Sequence, residues 1–139
     1  MRVLLISANR EMLPDPVAPI GLAYVAAAIK KAGHNVSILD LCFSDAIEGA
    51  IKDEIKAYNP EVIGISIRNI DNVSYPNSIS YISAIKDVVD TCKESSNAKI
   101  VLGGSGFTIM PEMLLDSLKA DFGIIGEGEE TFPELLEKI

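Results

Sequence analysis

The sequence predicts an α/β domain: a doubly wound, five-stranded parallel sheet in the order 2-1-3-4-5. Three observations predict it. Five short apolar runs without a charged face alternate with helix-period segments along the chain. Such near-continuous apolar strands suit a parallel sheet covered on both sides, and right-handed crossovers place the helices on both faces. The third observation is the run Lys99-Ile100-Val101-Leu102, which leads straight into Gly103-Gly104-Ser105-Gly106. Glycines at the C-terminal end of a central strand let the backbone turn sharply and let a ligand approach. In open α/β sheets ligands sit at that edge.

The elements follow in order. Arg2–Ser7 is a buried-type strand, and Ala8–Val17 is a polar loop bearing prolines. Pro19 opens a helix at a position that proline tolerates. That helix, Ile20–Lys31, carries Ala23, Ala26, Ala27 and Ala28 and is expected to be largely buried, with Gly33 ending it. Asn35–Asp40 is the second strand. Ser44 is placed to cap a helix whose face carries Ile47, Ala50, Ile51 and Ile55. Pro60 precedes the third strand, Val62–Ile67, and a polar loop runs from Arg68 to Asn77. A third helix buries Ile82, Ile85, Val89 and Cys92. After the fourth strand and its glycines, Pro111 begins a helix with Met113, Leu114, Leu115 and Leu118. Asp121–Ile125 is a short fifth strand. Gly126-Glu127-Gly128 leads into a last helix holding Phe132, Leu135, Leu136 and Ile139.

Composition narrows the function. With 139 residues and 48% hydrophobic content the chain suits one globular domain. A domain of that length buries about 70% of its unfolded surface. A net charge of −8 argues against nucleic acid and against an anionic membrane, both of which require clustered cations. No apolar run reaches the roughly 18 residues of a membrane span, and the first residues lack a signal-peptide pattern. Cys42 and Cys92 lie far apart without metal-ligand spacing, and Cys92 falls on an apolar helix face. A reducing cytoplasm is the expected home.

The ligand-edge loops test several functions. A dinucleotide site wants G-x-G-x-x-G after the first strand. That loop instead reads Ala8-Asn9-Arg10-Glu11-Met12, with no glycine and few hydroxyls for a flavin phosphate. Asp40 ends the second strand as a solvated strand end. A phospho-acceptor domain wants acids after strand one and Asp at the end of strand three, where the chain offers Ser7, Asn9, Ser66 and Arg68. No catalytic set stands out. The single histidine, His34, precedes the second strand on the edge opposite the ligand loops, roughly 20 Å away across a strand. Glu11 and Asp15 share a loop, and Ser105 has no base beside it. The domain reads as a holder rather than a catalyst.

Four segments in order carry a resemblance. Pro19-Ile20-Gly21-Leu22-Ala23-Tyr24, Gly33-His34-Asn35-Val36, Gly103-Gly104 and Gly126-Glu127-Gly128-Glu129-Glu130-Thr131-Phe132 together resemble the N-terminal cobalamin-binding domain of radical S-adenosylmethionine enzymes. That family includes methyltransferases and the anaerobic magnesium-protoporphyrin monomethyl ester cyclase, and the resemblance covers essentially the whole chain. It implies a flavodoxin-like, Rossmann-like fold with cobalamin across the C-terminal edge of the sheet. The nucleotide tail would enter beside Gly103, Gly104 and Ser105, and Ser66, Arg68 and Asn69 would face the lower side of the ring. Gly126, Glu127 and Gly128 would close the other flank, with Asn9, Pro19 and Gly21 completing the cofactor-binding set. No catalytic residue and no metal ligand is implied. Glu127 and Glu129 also suit a helix N-terminus, and Thr131 with Glu134 has capping-box spacing.

Two departures from the family pattern matter. Many cobalamin domains carry D-x-H-x-x-G in the first loop, whose histidine binds cobalt; Ser7–Pro19 contains no histidine. The resemblance therefore implies base-off cobalamin without a histidine ligand. The family's C-x-x-x-C-x-x-C motif for an iron–sulfur cluster is absent as well. The chain is thus expected to be the N-terminal piece of a longer enzyme. The cluster and S-adenosylmethionine would belong to its C-terminal half, the radical domain with which this one would partner. Two alternatives stay open: a cofactor-free scaffold of the same fold, and a nucleotide-binding module using the Gly103 loop.

Overall fold

In the computed structural model, which describes residues 1–139, five strands form one sheet. They are β1 (Arg2–Ser7), β2 (Asn35–Asp40), β3 (Val62–Ser66), β4 (Lys99–Gly103) and β5 (Phe122–Gly123), in the order β2-β1-β3-β4-β5. Every pair is parallel, as the apolar runs predict. β1, β3 and β4 are the inner strands and are apolar on both faces. One face, formed by Leu4, Ile6, Ile63, Ile65, Ile100 and Leu102, packs on α2 (Ile47–Tyr58), α3 (Ile82–Ser95) and α5 (Pro111–Leu118). The other carries Val3, Leu5, Val62 and Val101 and meets α1 (Ile20–Lys31) and α6 (Gly128–Leu136).

Several expectations change in detail. A further short helix, α4 (Ser105–Ile109), follows the glycines directly. Helix α1 is not largely buried: Leu22, Ala26 and Ile29 face the sheet, while Ala23, Tyr24 and Ala27 are exposed. Only one stripe of that helix meets the sheet. Ser44 caps nothing. α2 begins at Ile47 after Ala46, and the Ser44 N–H instead closes a turn onto the Leu41 carbonyl at 3.2 Å. Thr131 lies inside α6, whose N-cap is Glu127, and its hydroxyl donates back to the Glu127 carbonyl at 3.3 Å. The capping-box spacing is therefore coincidental. β5 shrinks to two residues, and β3 ends at Ser66, although Ile67 is buried and its N–H still reaches the Gly103 carbonyl at 2.8 Å.

Candidate functional site

A groove of about 450 Å³ opens at the C-terminal edge of the sheet, on the face that α1 and α6 cover. Strand register explains why it exists. Ser7, Ser66 and Gly103 stand opposite one another across β1, β3 and β4, and one step back lie Leu5, Gly64 and Val101. Side chains alternate along a strand, so both rows face α1 and α6. Small residues at Ser7, Ser66 and Gly103 leave the floor of the groove open. Its walls are Leu22 and Val25 of α1 with Phe132 of α6, and Val17–Gly21 closes one end. Phe132 rests on Gly64, where an added Cβ would lie 2.8 Å from its ring. α6 approaches α1 closely, Gly128 meeting Val25 where a Cβ would stand at 3.1 Å.

The glycine turn joins the loops after β3 and β4. Gly104 has φ +97°, and a Cβ there would lie 2.6 Å from the Ile67 carbonyl oxygen. That φ with ψ 171° is backbone essentially reserved for glycine. The Gly106 N–H donates to the same Ile67 carbonyl at 2.8 Å, and the Ser105 hydroxyl donates to the Arg68 carbonyl at 3.0 Å. Gly104 and Gly106 are thus demanded by close backbone approach. Gly103 differs: a Cβ there would meet nothing nearer than the Ile124 carbonyl at 3.8 Å. The Thr108 hydroxyl donates to the Gly104 carbonyl at 3.1 Å and accepts the Gly126 N–H at 3.0 Å, tying the loop after β5 to the same platform.

Ten of the residues named from sequence line this groove: Asn9, Pro19, Gly21, Ser66, Arg68, Gly103, Gly104, Ser105, Gly126 and Gly128. The structure brings them together from the C-terminal ends of four strands, β1, β3, β4 and β5. Asn69 instead lines a smaller cavity of about 210 Å³ behind the groove. Glu127 forms the N-cap of α6, and Glu129 of its first turn is the acid on the groove wall. Sequence reasoning missed Gly64 and Phe132; a glycine inside an apolar strand was the available signal for close approach. His34 stands at the opposite edge, its Nδ1 3.2 Å from the Met1 amine and its Nε2 3.7 Å from a Glu137 carboxylate oxygen. Asp40 accepts the Cys42 N–H at 3.1 Å, as a strand end does.

The first loop is held by its own polar groups. Tyr81, just before α3, donates its hydroxyl to the Glu11 carboxylate, which also accepts the Leu13 N–H at 3.1 Å. Those bonds hold the Glu11 carboxyl below the usual range, and the Glu11 contact pushes the Tyr81 phenol up. Asn9 accepts the Glu11 N–H through Oδ1 at 3.4 Å, while its Nδ2 is buried with no partner. Groove and residues fit a large, partly apolar ligand with polar arms: a floor of small side chains, apolar walls, and a buried donor without a partner.

An open parallel α/β sheet with a groove across its C-terminal edge is a ligand-binding architecture. The chain belongs to the B12 binding domain family, whose pattern matches residues 7–136. It is similar to a tryptophan 2-C-methyltransferase of Streptomyces laurentii, with 31% identity over 91% of this chain and 21% of that protein. An uncharacterised methyltransferase of Pyrococcus horikoshii is 28% identical over 100% of this chain and 29% of its own length. Among solved structures, the radical S-adenosylmethionine methyltransferase TsrM from Kitasatospora setae, with cobalamin and a [4Fe-4S] cluster bound, superposes with a TM-score of 0.92. It shares 28% identity and covers 98% of this chain and 24% of that one. The chain therefore spans between a fifth and a third of the length of these relatives. No helix is long and apolar enough to cross a membrane.

Proposed function

We propose that this chain holds base-off cobalamin in the groove, with no protein imidazole on the cobalt, as the cofactor module of a radical S-adenosylmethionine methyltransferase. The observation that carries this reading is the groove floor, where Ser7, Ser66 and Gly103 leave room against the sheet while Gly64 seats the Phe132 wall. Gly103 and Val101 pass along the nucleotide tail, and Phe132, Leu22 and Val25 exclude water from it. Arg68 and Asn9 border the mouth. Bound cobalamin supplies a cobalt centre able to carry a methyl group. The Arg68 guanidinium on the groove lining would place a cation near the cofactor and would disfavour strong protein ligation of the cobalt, which would suit methyl transfer. The names of the similar proteins favour methyl transfer over cyclase chemistry.

The rest of a longer polypeptide is the proposed partner, with the iron–sulfur cluster and S-adenosylmethionine on its side and a reducing cytoplasm as its setting. Large apolar residues exposed on the loops at the groove edge support that: Leu13, Phe43, Val73, Tyr75, Ile109 and Ile125. They lie on segments that follow the C-terminal ends of the strands, the edge over which such a domain would close.

The test is uptake of hydroxocobalamin followed by desalting, then electron paramagnetic resonance of the cobalt(II) form. The expected result is a red chain whose signal shows no nitrogen splitting. Splitting that persists in His34→Ala would mean that the cofactor's own base is still attached. Splitting lost in that variant would mean that His34 reaches the metal. A chain that responds to nucleotides and stays colourless would overturn the reading altogether.

A further inference from the structure

Asn9 sits where the groove and the smaller cavity meet, lining both, and Arg68 does the same. The orientation of the Asn9 amide follows from its bonding: Oδ1 accepts the Glu11 N–H, which leaves Nδ2 as the buried atom without a partner. A buried donor left unmade costs about 1–3 kcal/mol. The loop is not slack there, since Tyr81 and Leu13 both bond Glu11, two residues on. The amide is held in place with its donor unspent. Arg68 adds donors at the same boundary; its backbone carbonyl accepts from Ser105, and its guanidinium forms no ion pair within the chain.

The cavity behind this boundary has a volume of about 210 Å³. That is below the roughly 300–1,000 Å³ of pockets that take a whole ligand. It suits one arm of a ligand whose body lies in the groove. Ile47, Ile67, Ile85 and Val88 give it apolar walls, and Asn9, Glu11, Arg68, Asn69, Tyr81 and Asp87 contribute its polar lining. The unpartnered Asn9 Nδ2 and the Arg68 guanidinium offer donors, and the Glu11 and Asp87 carboxylates offer acceptors, a combination that suits a primary amide with its carbonyl oxygen and its N–H groups.

We infer that the Asn9 amide is a specificity-determining contact: it donates to the carbonyl oxygen of one amide arm of the corrin, and the smaller cavity receives that arm. The inference rests on the proposed cobalamin site. It adds a function for Asn9 and for a cavity on the far side of the sheet edge from the groove.

The distinguishing signature is a divergence between stability and affinity. Asn9→Ala removes a donor that the empty chain leaves unsatisfied together with the long 3.4 Å bond that Oδ1 accepts from the Glu11 N–H, so the two effects offset and its urea midpoint stays close to that of the original chain. Its affinity for hydroxocobalamin, read by equilibrium dialysis, falls about tenfold. Asn9→Asp is compared with the original chain on the cobalamin monocarboxylates, in each of which one arm is a carboxylate. For the arm that enters the cavity, the original chain binds the carboxylate less well than the amide, because Glu11 and Asp87 line that cavity. Asn9→Asp weakens that same analogue at least tenfold more than it weakens hydroxocobalamin, because two carboxylates then face each other. Asn9→Ala with affinity within twofold of the original would overturn the inference, as would equal Asn9→Asp effects on all the monocarboxylates. If the original chain binds no cobalamin, the cofactor reading itself fails.

Discussion

Gly103 and Gly104 are neighbours in the sequence, yet their substitution should have opposite consequences. At Gly103 a Cβ would sit 3.8 Å from the Ile124 carbonyl and 3.9 Å from its Cβ, which is ordinary contact. The residue lies in β4, where a β-branched side chain is well accommodated. Gly103→Val therefore leaves stability within about 0.5 kcal/mol of the original. Its methyl groups project onto the groove floor, between Ser66 and Ile124, and displace whatever lies there. An affinity loss of at least tenfold, about 1.4 kcal/mol, is expected for cobalamin. At Gly104 the backbone conformation alone costs an alanine about 1–3 kcal/mol. Its Cβ would also stand 2.6 Å from the Ile67 carbonyl, an overlap with backbone that cannot rotate away. Gly104→Ala is thus destabilised by about 3 kcal/mol or more, adding the usual cost of overpacking. Urea unfolding and equilibrium dialysis on the two variants separate these effects. A Gly103→Val chain that binds cobalamin normally would show that the ligand does not pass over β4. A Gly104→Ala chain as stable as the original would refute the close approach of the two loops.

Two further outcomes follow from the ionisable groups. Burial pushes the Cys92 thiol up to about 12, so at pH 8 a thiol reagent should leave Cys92 unmodified until denaturant is added; modification of the folded chain would contradict its place in the core. Asp121 feels burial, which works to raise its pKa, but its bonds to the Ile100 N–H and to Lys99 outweigh it and hold the carboxyl below its ordinary value. A depressed carboxyl stabilises the fold above its unfolded pKa of about 3.9 and loses that contribution as pH falls through the folded value. Thermal melts of Asp121→Asn and the original chain should differ by a constant amount above about pH 5 and converge below pH 4. A gap that persists unchanged at pH 2 would refute the pairing.

The sheet was legible because its signals are local. Val3–Ile6, Val62–Ile65 and Ile100–Leu102 are apolar on both faces, and only a strand covered twice uses such a run. Helix starts were less legible. Ser44 and Thr131 are good capping types, but the backbone spends Ser44 on a turn and places Thr131 inside α6. α4 could not be read from propensity, since Gly106 and Thr108 disfavour helix; bonds from Gly106 to Ile67 and from Thr108 to Gly104 hold it. The site was half legible. Glycine at the end of β4 marked the edge, but three glycines looked alike in sequence. Only the packing separates Gly103, which faces the groove, from Gly104 and Gly106, which face the Ile67 and Arg68 carbonyls. Phe132 on Gly64 joins residues too distant in the chain for any local pattern to connect.

That last contact governs the order in which the domain can be assembled. The groove is walled by the first helix and the last, α1 and α6, which meet at Val25 and Gly128. β1, β3 and β4 and their linking loops can form the floor from residues that precede Gly104. The wall waits for Phe132 to reach Gly64, a contact spanning half of the chain's length. Contacts of long sequence separation form late, because the loop entropy is lost before the contact returns anything. A chain emerging N-terminus first therefore has the inner strands of its sheet before it has the second wall of its groove. Cobalamin cannot template the sheet; it meets a finished floor and an arriving wall.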